Sequence, residues 1–141
     1  MKIKRRIDKL IQEFASLDNW EERYKMIIEK GKTLAPMQKE FKVSHNLVKG
    51  CQSQVWLHGE IHEKKIRFHA DSDAAITKGI VALLLSVYSE STPDEIIATK
   101  PDFIETIGLR EYLSLNRTNG LMSMIKQINF YALAFKTKLE N

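Results

Sequence analysis

The pattern of apolar and polar positions predicts two amphipathic helices at the start of the chain. Apolar residues recur every three or four positions from about residue 3 to residue 16, which is the spacing of one helix face. A second helix is expected after Asp18, which with Glu21 forms a capping-box arrangement without the hydroxyl, and Gly31 is expected to end it. The apolar positions of the two stripes are Ile3, Ile7, Leu10, Ile11 and Phe14, then Trp20, Tyr24, Ile27 and Ile28.

The next pattern is the loose alternation of a β-hairpin. Residues 54–61 and 65–70 carry β-branched and aromatic side chains at alternating positions, and Glu63 and Lys64 lie between the two runs. We therefore predict two antiparallel strands joined by a turn at these two residues, with Trp56 as a core anchor. The connection before the hairpin is interrupted by Pro36, and we expect one helical turn in it, near residues 37–41.

Helices are predicted from the hairpin to the end of the chain. The stretch Ala74–Ser89 is nearly all apolar and should be the central buried helix, with an N-cap supplied from Asp71–Asp73. Gly79 inside that helix predicts a neighbour that packs unusually close. The remaining predicted elements are a short helix after Thr92 and Pro93, another over about 102–107 ending at Gly108, a turn over 110–113, a polar loop over 114–120 and a final helix over about 121–139.

Size and charge narrow the functional class. A chain of 141 residues and 16.3 kDa, with 43% hydrophobic residues, is expected to form one domain over residues 1–141. The net charge of +4 comes with no stripe of Lys and Arg interleaved with aromatics, so we predict no nucleic-acid partner. The basic N-terminal residues resemble the start of a signal peptide, but Asp8 interrupts the apolar region that would have to follow them. The longest apolar run, Ile80–Leu85, is far shorter than the roughly 20 residues of a membrane span. We expect a soluble, cytoplasmic protein.

Cys51 is the only cysteine of the chain. It excludes an internal disulfide, and within one chain it excludes a zinc site with several thiolates or a complete thiolate-ligated iron–sulfur cluster, so we predict no metal and no cofactor. A lone cysteine is most often a small buried hydrophobe. The small and polar neighbours of Cys51 favour a candidate nucleophile instead, and Lys49 or His45 could supply positive charge to its thiolate.

The predicted hairpin places Cys51 near Asp71–Asp73 and the start of the buried helix. The amino end of a helix stabilises a thiolate, whereas the two carboxylates oppose it, and the sequence leaves open which effect is larger. His58, His62 and His69 are interpreted as solvent-facing strand residues, because no carboxylate or thiolate completes a metal site with them. Arg117 is either a loop-anchoring residue or a contact for an anion or partner.

Several segments in combination resemble the SufE-type sulfur acceptor proteins. They follow one another in order and at the right spacings over nearly the whole chain. Leu115 departs from the pattern, since the family commonly has proline there, and residues 35–48 follow no pattern that we can match. The segments that carry the resemblance are Asn19–Glu21, Gly50–Trp56, Asp71–Ile76, Lys78–Gly79, Ile107–Leu109, Leu113–Ser114 and Arg117–Leu121.

The resemblance implies a sulfur acceptor and carrier. Such a protein takes sulfane sulfur from a SufS-type cysteine desulfurase as a persulfide, here on Cys51, stimulates the desulfurase, and delivers sulfur to a SufBCD-type scaffold complex for iron–sulfur cluster assembly. It implies an α+β fold, a small antiparallel sheet packed with several helices, similar to NifU/IscU-type scaffold proteins. We expect a monomer or weak homodimer and no stand-alone enzyme. The supporting or partner-binding residues would be Gly50, Gln52, Ser53, Asp73 and Arg117.

Four alternatives remain at this level. One is a CsdE-like acceptor that serves a paralogous desulfurase, and another is a cysteine-dependent interaction module without sulfur transfer. A scaffold that builds a cluster itself is disfavoured by the single cysteine. A hydrolase or peroxidase using Cys51 with His45 is disfavoured because no base and orienting partner are evident.

Overall fold

A computed structural model describes residues 2–51 and 53–140 of the chain. The fold is α+β: a two-stranded antiparallel sheet is packed among helices, in the predicted order of two helices, a hairpin and further helices. The elements are α1 (Lys2–Ala15), α2 (Trp20–Lys32), β1 (Val55–His62), β2 (Lys65–Ser72), α3 (Ala75–Tyr88), α4 (Pro93–Ala98), α5 (Phe103–Thr106), α6 (Leu109–Tyr112) and α7 (Leu115–Glu140), with short 3-10 turns at Lys39–Phe41 and Ser44–Asn46.

The hairpin is confirmed in its strands and in its turn. Val55 lies opposite Ser72 at one end and His62 lies opposite Lys65 at the other. The connecting residues have φ of 51° at Glu63 and 69° at Lys64, so both occupy the left-handed region, as a two-residue type I′ turn requires. Neither is a residue type that adopts this region readily, and the turn therefore costs free energy of folding.

Replacing Lys64 by glycine is expected to stabilise the protein. Glycine adopts positive φ without the steric cost of a Cβ, and we expect the free energy of unfolding to rise by about 0.5–1 kcal/mol after its larger chain entropy is subtracted. Lys64→Ala is the matched control, because alanine also loses the lysine side chain but keeps the Cβ. Urea denaturation of both variants measures the difference, and equal stabilities would contradict this explanation of the turn.

Helix α3 is the centre of the core, and two glycines bring α2 against it. Gly79 lies on α3 where a Cβ would come within 2.6 Å of the carbonyl carbon of Ile27, so the predicted close neighbour is the backbone of α2. A Cβ on Gly31 would in turn lie 2.8 Å from the backbone nitrogen of Gly79. The prediction that Gly31 ends α2 is wrong, because the helix continues to Lys32 and Gly31 serves this contact instead.

Side-chain caps set the starts of α2 and α4, and the caps predicted for α2 and α3 are both wrong. Helix α3 has Ala74 at its N-cap position and no side-chain cap, because none of the side chains of Asp71–Asp73 bonds to an amide of its first turn. Asn19, not Asp18, is the N-cap of α2, and its side chain accepts a hydrogen bond from the Glu22 amide at 2.9 Å. The cap of α4 agrees with the prediction, since Thr92 and Glu95 form a complete capping box with proline at the first helical position.

Helix α7 begins earlier than its sequence suggests. Residues 114–120 were predicted as a polar loop, but the helix starts at Leu115 and includes Arg117 and Gly120. Ser114 stabilises this start, because its carbonyl oxygen accepts from the Thr118 amide at 2.9 Å and its hydroxyl from the Arg117 amide at 3.3 Å. Residues 109–112, close to the predicted turn, form the short helix α6.

The segment before Cys51 covers the outer face of the hairpin. Phe41 stacks on His58 with ring centroids 4.1 Å apart, and Lys42 pairs with Asp71 at 2.6 Å. Trp56 lies on this outer face beneath Lys42, whose ammonium is 5.5 Å from the ring centroid, so its prediction as a core residue is wrong. Between residues 2–51 and 53–140, none of the helices combines the length and the apolar character that a membrane crossing requires.

Candidate functional site

Cys51 lies in a tight loop that connects β1 to the preceding segment, the one that covers the outer face of the hairpin. The loop is closed by a hydrogen bond from the Val48 amide to the Val55 carbonyl oxygen, 2.8 Å long. Gly50 has φ of 87°, and a Cβ built on it would lie 3.1 Å from the Ser123 hydroxyl oxygen of α7. A larger residue at position 50 would therefore be strained, and the glycine lets the loop lie directly on α7.

The Cys51 side chain is half-buried against α7. Its thiol donates a weak hydrogen bond to the Gly120 carbonyl oxygen, with 3.8 Å between sulfur and oxygen. Beside it is a cavity of about 40 Å³, which we call the Cys51 cavity. A cavity needs only about 10–15 Å³ to hold a water molecule, so this one can take an additional atom the size of sulfur. Its other lining residues are Ser53, Thr77, Ile80, Arg117, Gly120 and Met124.

The surroundings of Cys51 favour its neutral form over the thiolate. Burial raises the pKa of the Cys51 thiol above its ordinary value, because the thiolate loses more hydration than the thiol does. The Gly120 carbonyl, which presents negative partial charge to the sulfur, favours the thiol in the same way. In this conformation Cys51 is therefore expected to be a weaker nucleophile than an exposed thiol.

The two carboxylates that could have opposed a thiolate are occupied elsewhere. Asp71 pairs with Lys42 at 2.6 Å and with Lys78 at 3.3 Å. Asp73 accepts a hydrogen bond from the Gln54 amide at 3.0 Å, and this contact ties the end of the Cys51 loop to the end of β2. Asp73 does not line the Cys51 cavity, so its position supports the loop and not the sulfur.

Of the remaining predicted site residues, some line the Cys51 cavity and others do not. Ser53 and Arg117 line the Cys51 cavity, and Gly50 sets the path of the loop. Among the described residues, Arg117 is the only cation in that lining, and its side chain is exposed at the start of α7. Lys49 lines a different depression, along α7, and the predicted residue Gln52 lies outside the described residues.

The histidines form neither a base for Cys51 nor a metal site. His45 is exposed and lines the depression along α7, not the Cys51 cavity. His58 lies beneath Phe41 on the outer face of the hairpin, and His69 beside it bonds to Glu60 at 2.9 Å. In the part of the chain that the structure describes, no three histidine, cysteine or carboxylate side chains group as metal ligands do.

Four residues of the cavity lining were not predicted from the sequence: Thr77, Ile80, Gly120 and Met124. A Cβ on Gly120 would lie 3.1 Å from the Cys51 sulfur, so a glycine at this position lets the thiol lie close against α7. The only hint of this role in the sequence is that Gly120 is a glycine shortly before the apolar positions of a helix. Its contact with Cys51, 69 residues earlier, follows only from the tertiary structure.

Comparison with known proteins identifies the family. Residues 8–132 match the family model described as "SufE: Fe-S metabolism associated domain". The chain belongs to the SufE family. The family match includes the Cys51 loop, the hairpin, α3 and most of α7, and thus every element that forms the Cys51 cavity.

The alignments with relatives of the same family span most of this chain and most of each relative. An uncharacterized SufE-like protein of Rhizobium meliloti is 42% identical, over 86% of this chain and 91% of the relative. An uncharacterized SufE-like protein of Synechocystis is 38% identical, over 91% of this chain and 80% of the relative. The solution structure of a hypothetical protein from Thermus thermophilus has the same fold, with a TM-score of 0.79 at 20% identity, over 94% of this chain and 96% of that one.

Proposed function

We propose that this SufE-family protein is a sulfur acceptor and carrier that works through Cys51. In this proposal Cys51 receives sulfane sulfur from a SufS-type cysteine desulfurase as a persulfide, stimulates that enzyme, and delivers the sulfur to a SufBCD-type scaffold complex for iron–sulfur cluster assembly. The observation that carries it is the Cys51 cavity, which holds the only thiol of the chain beside space for one more atom. Sulfur transfer needs both features.

The proposed reaction is a thiol exchange with balanced atoms and electrons. The Cys51 thiolate attacks the terminal sulfur of the donor's persulfide, R–S–S–H, so that an S–S bond forms at Cys51 while the donor's S–S bond breaks. The donor's cysteine leaves as a thiolate and takes up the proton that Cys51 released. No oxidant is required, because one S–S bond forms as the other breaks and the transferred sulfur keeps its oxidation state.

The resting geometry implies that the donor must draw Cys51 out of its cavity. A thiol whose pKa is raised by burial is a poor nucleophile at neutral pH, and its carbonyl neighbour does not help it ionise. Gly50 favours such an outward movement, because a residue without a Cβ has wider conformational freedom. After transfer, a return to the cavity would protect the persulfide from reductants and the thiol from oxidation to sulfenic acid.

The Arg117 guanidinium is the charged group best placed to assist. It lines the Cys51 cavity, and a persulfide ionises more readily than a thiol, so a nearby cation would favour its anionic form. Gly50 and Ser53 would serve by shaping the loop, and Asp73 by holding its end. The proposal also places the protein in the cytoplasm, and the likeness of its fold to NifU/IscU-type scaffold proteins stays a prediction.

Desulfurase turnover tests this function. We expect the wild-type protein to accelerate severalfold the release of alanine from cysteine by the desulfurase of the same organism, and Cys51→Ser to abolish the acceleration. The double variant Cys51→Ser/Ser16→Cys is the matched control, since it carries one exposed thiol away from the cavity. Stimulation by either variant at the wild-type level would contradict a Cys51-specific transfer and favour an interaction module. Stimulation of a paralogous desulfurase alone would indicate the CsdE-like alternative.

A further inference from the structure

A groove runs along α7 next to the Cys51 loop. Its volume is about 360 Å³, much larger than that of the Cys51 cavity, and we call it the α7 groove. One wall is formed by the chain that leads into Cys51 and the other by one side of α7. Its lining residues are His45, Leu47, Val48, Lys49, Ser123, Lys126, Gln127 and Phe130.

The groove is continuous with the candidate sulfur site. Gly120 contacts Cys51, and Ser123, three residues further along α7, contacts Gly50 and opens the groove. Phe130 closes the other end. Phe130 is ten positions after Gly120 in α7, so the surface extends about 15 Å along the helix from the residue that contacts the thiol. A protein that brings a reactive sulfur to Cys51 would lie over this groove.

The groove carries apolar surface that the chain itself leaves uncovered. Phe130 is 66% exposed, and Leu133, just beyond it on α7, is 58% exposed. Large aromatic side chains are usually buried in monomers, and those exposed beside a depression are typical of binding surfaces.

The charged side chains that line the groove are basic. Lys49 and Lys126 are exposed and line it with His45, and among the residues that the structure describes no carboxylate shares this lining. Within residues 2–51 and 53–140, neither lysine forms an ion pair with a carboxylate. A complementary partner therefore presents an apolar side chain flanked by Asp or Glu.

We propose that the α7 groove is the docking site for the cysteine desulfurase, which inserts an apolar side chain beside Phe130 and places carboxylates against Lys49 and Lys126. This inference rests on the proposed function and adds the surface that holds the donor while the sulfur moves. The Cys51 cavity is too small to receive a protein side chain, so binding energy must come from a neighbouring surface. The groove supplies it without covering the thiol.

Binding to the desulfurase tests this proposal separately from sulfur transfer. Affinity is measured by titration calorimetry in the Cys51→Ser background, so that no sulfur moves during the experiment. We expect Phe130→Ala and Lys126→Glu each to raise the dissociation constant at least tenfold. Loss of a central aromatic side chain and reversal of a charge at an interface typically weaken binding this much. Leu139→Ala and Lys138→Glu, also exposed on α7 but away from the groove, are the matched controls and are expected to bind as the parent does.

The outcomes separate the two proposals. Reaction of Cys51 with iodoacetamide, measured in the groove variants with Cys51 intact, should stay unchanged, which shows that the cavity is preserved. Tight binding by the parent and by both groove variants would overturn the α7 groove as the docking site and leave the sulfur acceptor function standing. No binding by the parent to any desulfurase of the organism would overturn both. Equal losses in the groove and control variants would also overturn the groove proposal, because they would indicate a general effect of α7.

Discussion

Gly120→Leu is expected to raise the rate of Cys51 alkylation at neutral pH by about tenfold, because a thiol with a lower pKa is present as thiolate in a larger fraction. Any side chain at position 120 competes with the Cys51 sulfur for the same space, since a Cβ alone would lie 3.1 Å from it. Leucine is large enough to fill the Cys51 cavity and displace the thiol outward into water. There the thiol regains hydration and loses the Gly120 carbonyl, so its pKa falls toward the ordinary value. Iodoacetamide labelling followed over a range of pH measures both the rate and the pKa.

The adjacent position offers a control for this variant. Asn119 is exposed on α7, so Asn119→Leu adds the same side chain to the same helix turn without touching Cys51. Its alkylation rate should equal that of the wild type. Equal rates in the wild type and in Gly120→Leu would contradict the view that α7 shelters the thiol. Faster labelling should be accompanied by faster oxidation of Cys51 by peroxide, because the same exposure governs both reactions.

Gly79→Ala is expected to destabilise the protein by more than about 3 kcal/mol, or to prevent folding. The added methyl group would overlap the carbonyl oxygen of Ile27, which belongs to the backbone of α2 and cannot move aside as a side chain can. Relief requires separating α2 from α3, and this would open the core beside the buried residue Ile80. The gain in helix propensity from glycine to alanine, about 1 kcal/mol, is too small to compensate.

Urea denaturation compares Gly79→Ala with a control in the same helix. Ser86 lies on the exposed side of α3, and Ser86→Ala should change the free energy of unfolding by less than about 0.5 kcal/mol. If Gly79→Ala does not fold at all, Gly31→Ala gives a second reading of the same contact, with a smaller overlap and a smaller loss. A Gly79→Ala protein as stable as the wild type would mean that the two helices do not approach as closely as described.

Local patterns were sufficient to predict much of the fold. The alternation in residues 54–61 and 65–70 predicted both strands and the two-residue turn, because a hairpin with one buried face has a strict period. Thr92 and Glu95 predicted the start of α4, since a capping box is determined by residues three positions apart. The nearly continuous apolar run of α3 predicted its burial in the same way.

The errors arose where distant contacts decide local structure. Thr118, Asn119 and Gly120 have weak helix propensity. The helix nevertheless forms, because Ser114 caps its start and the buried Leu121 and Met124 hold α7 in the core. Gly31 has the appearance of a helix stop, but its role is to let α2 lie against α3. Trp56 was assigned to the core by its size, whereas the register of β1 directs it to the outer face beneath Lys42.

The reactive residue of the candidate site could be predicted from the sequence, but most of the residues that line its cavity could not. A single cysteine among small polar residues directed attention to Cys51, and the hairpin correctly placed it near the start of α3. The residues that raise its pKa and shape its cavity come from α3 and α7, distant in sequence, and local patterns carry no information about such contacts. The sequence left open whether the helix dipole or the carboxylates would dominate, and in the structure burial raises the pKa of the Cys51 thiol.

The most direct test of the sulfur acceptor function is the intact mass of the protein after incubation with the desulfurase and cysteine. Because the chain has one cysteine, an added sulfur can reside on no other thiol. We expect the wild type to gain the mass of one sulfur atom and to lose it on treatment with reductant, while Cys51→Ser stays unchanged. No adduct on the wild type with a desulfurase of proven activity, or an equal adduct on Cys51→Ser, would contradict the central claim that Cys51 accepts the sulfur.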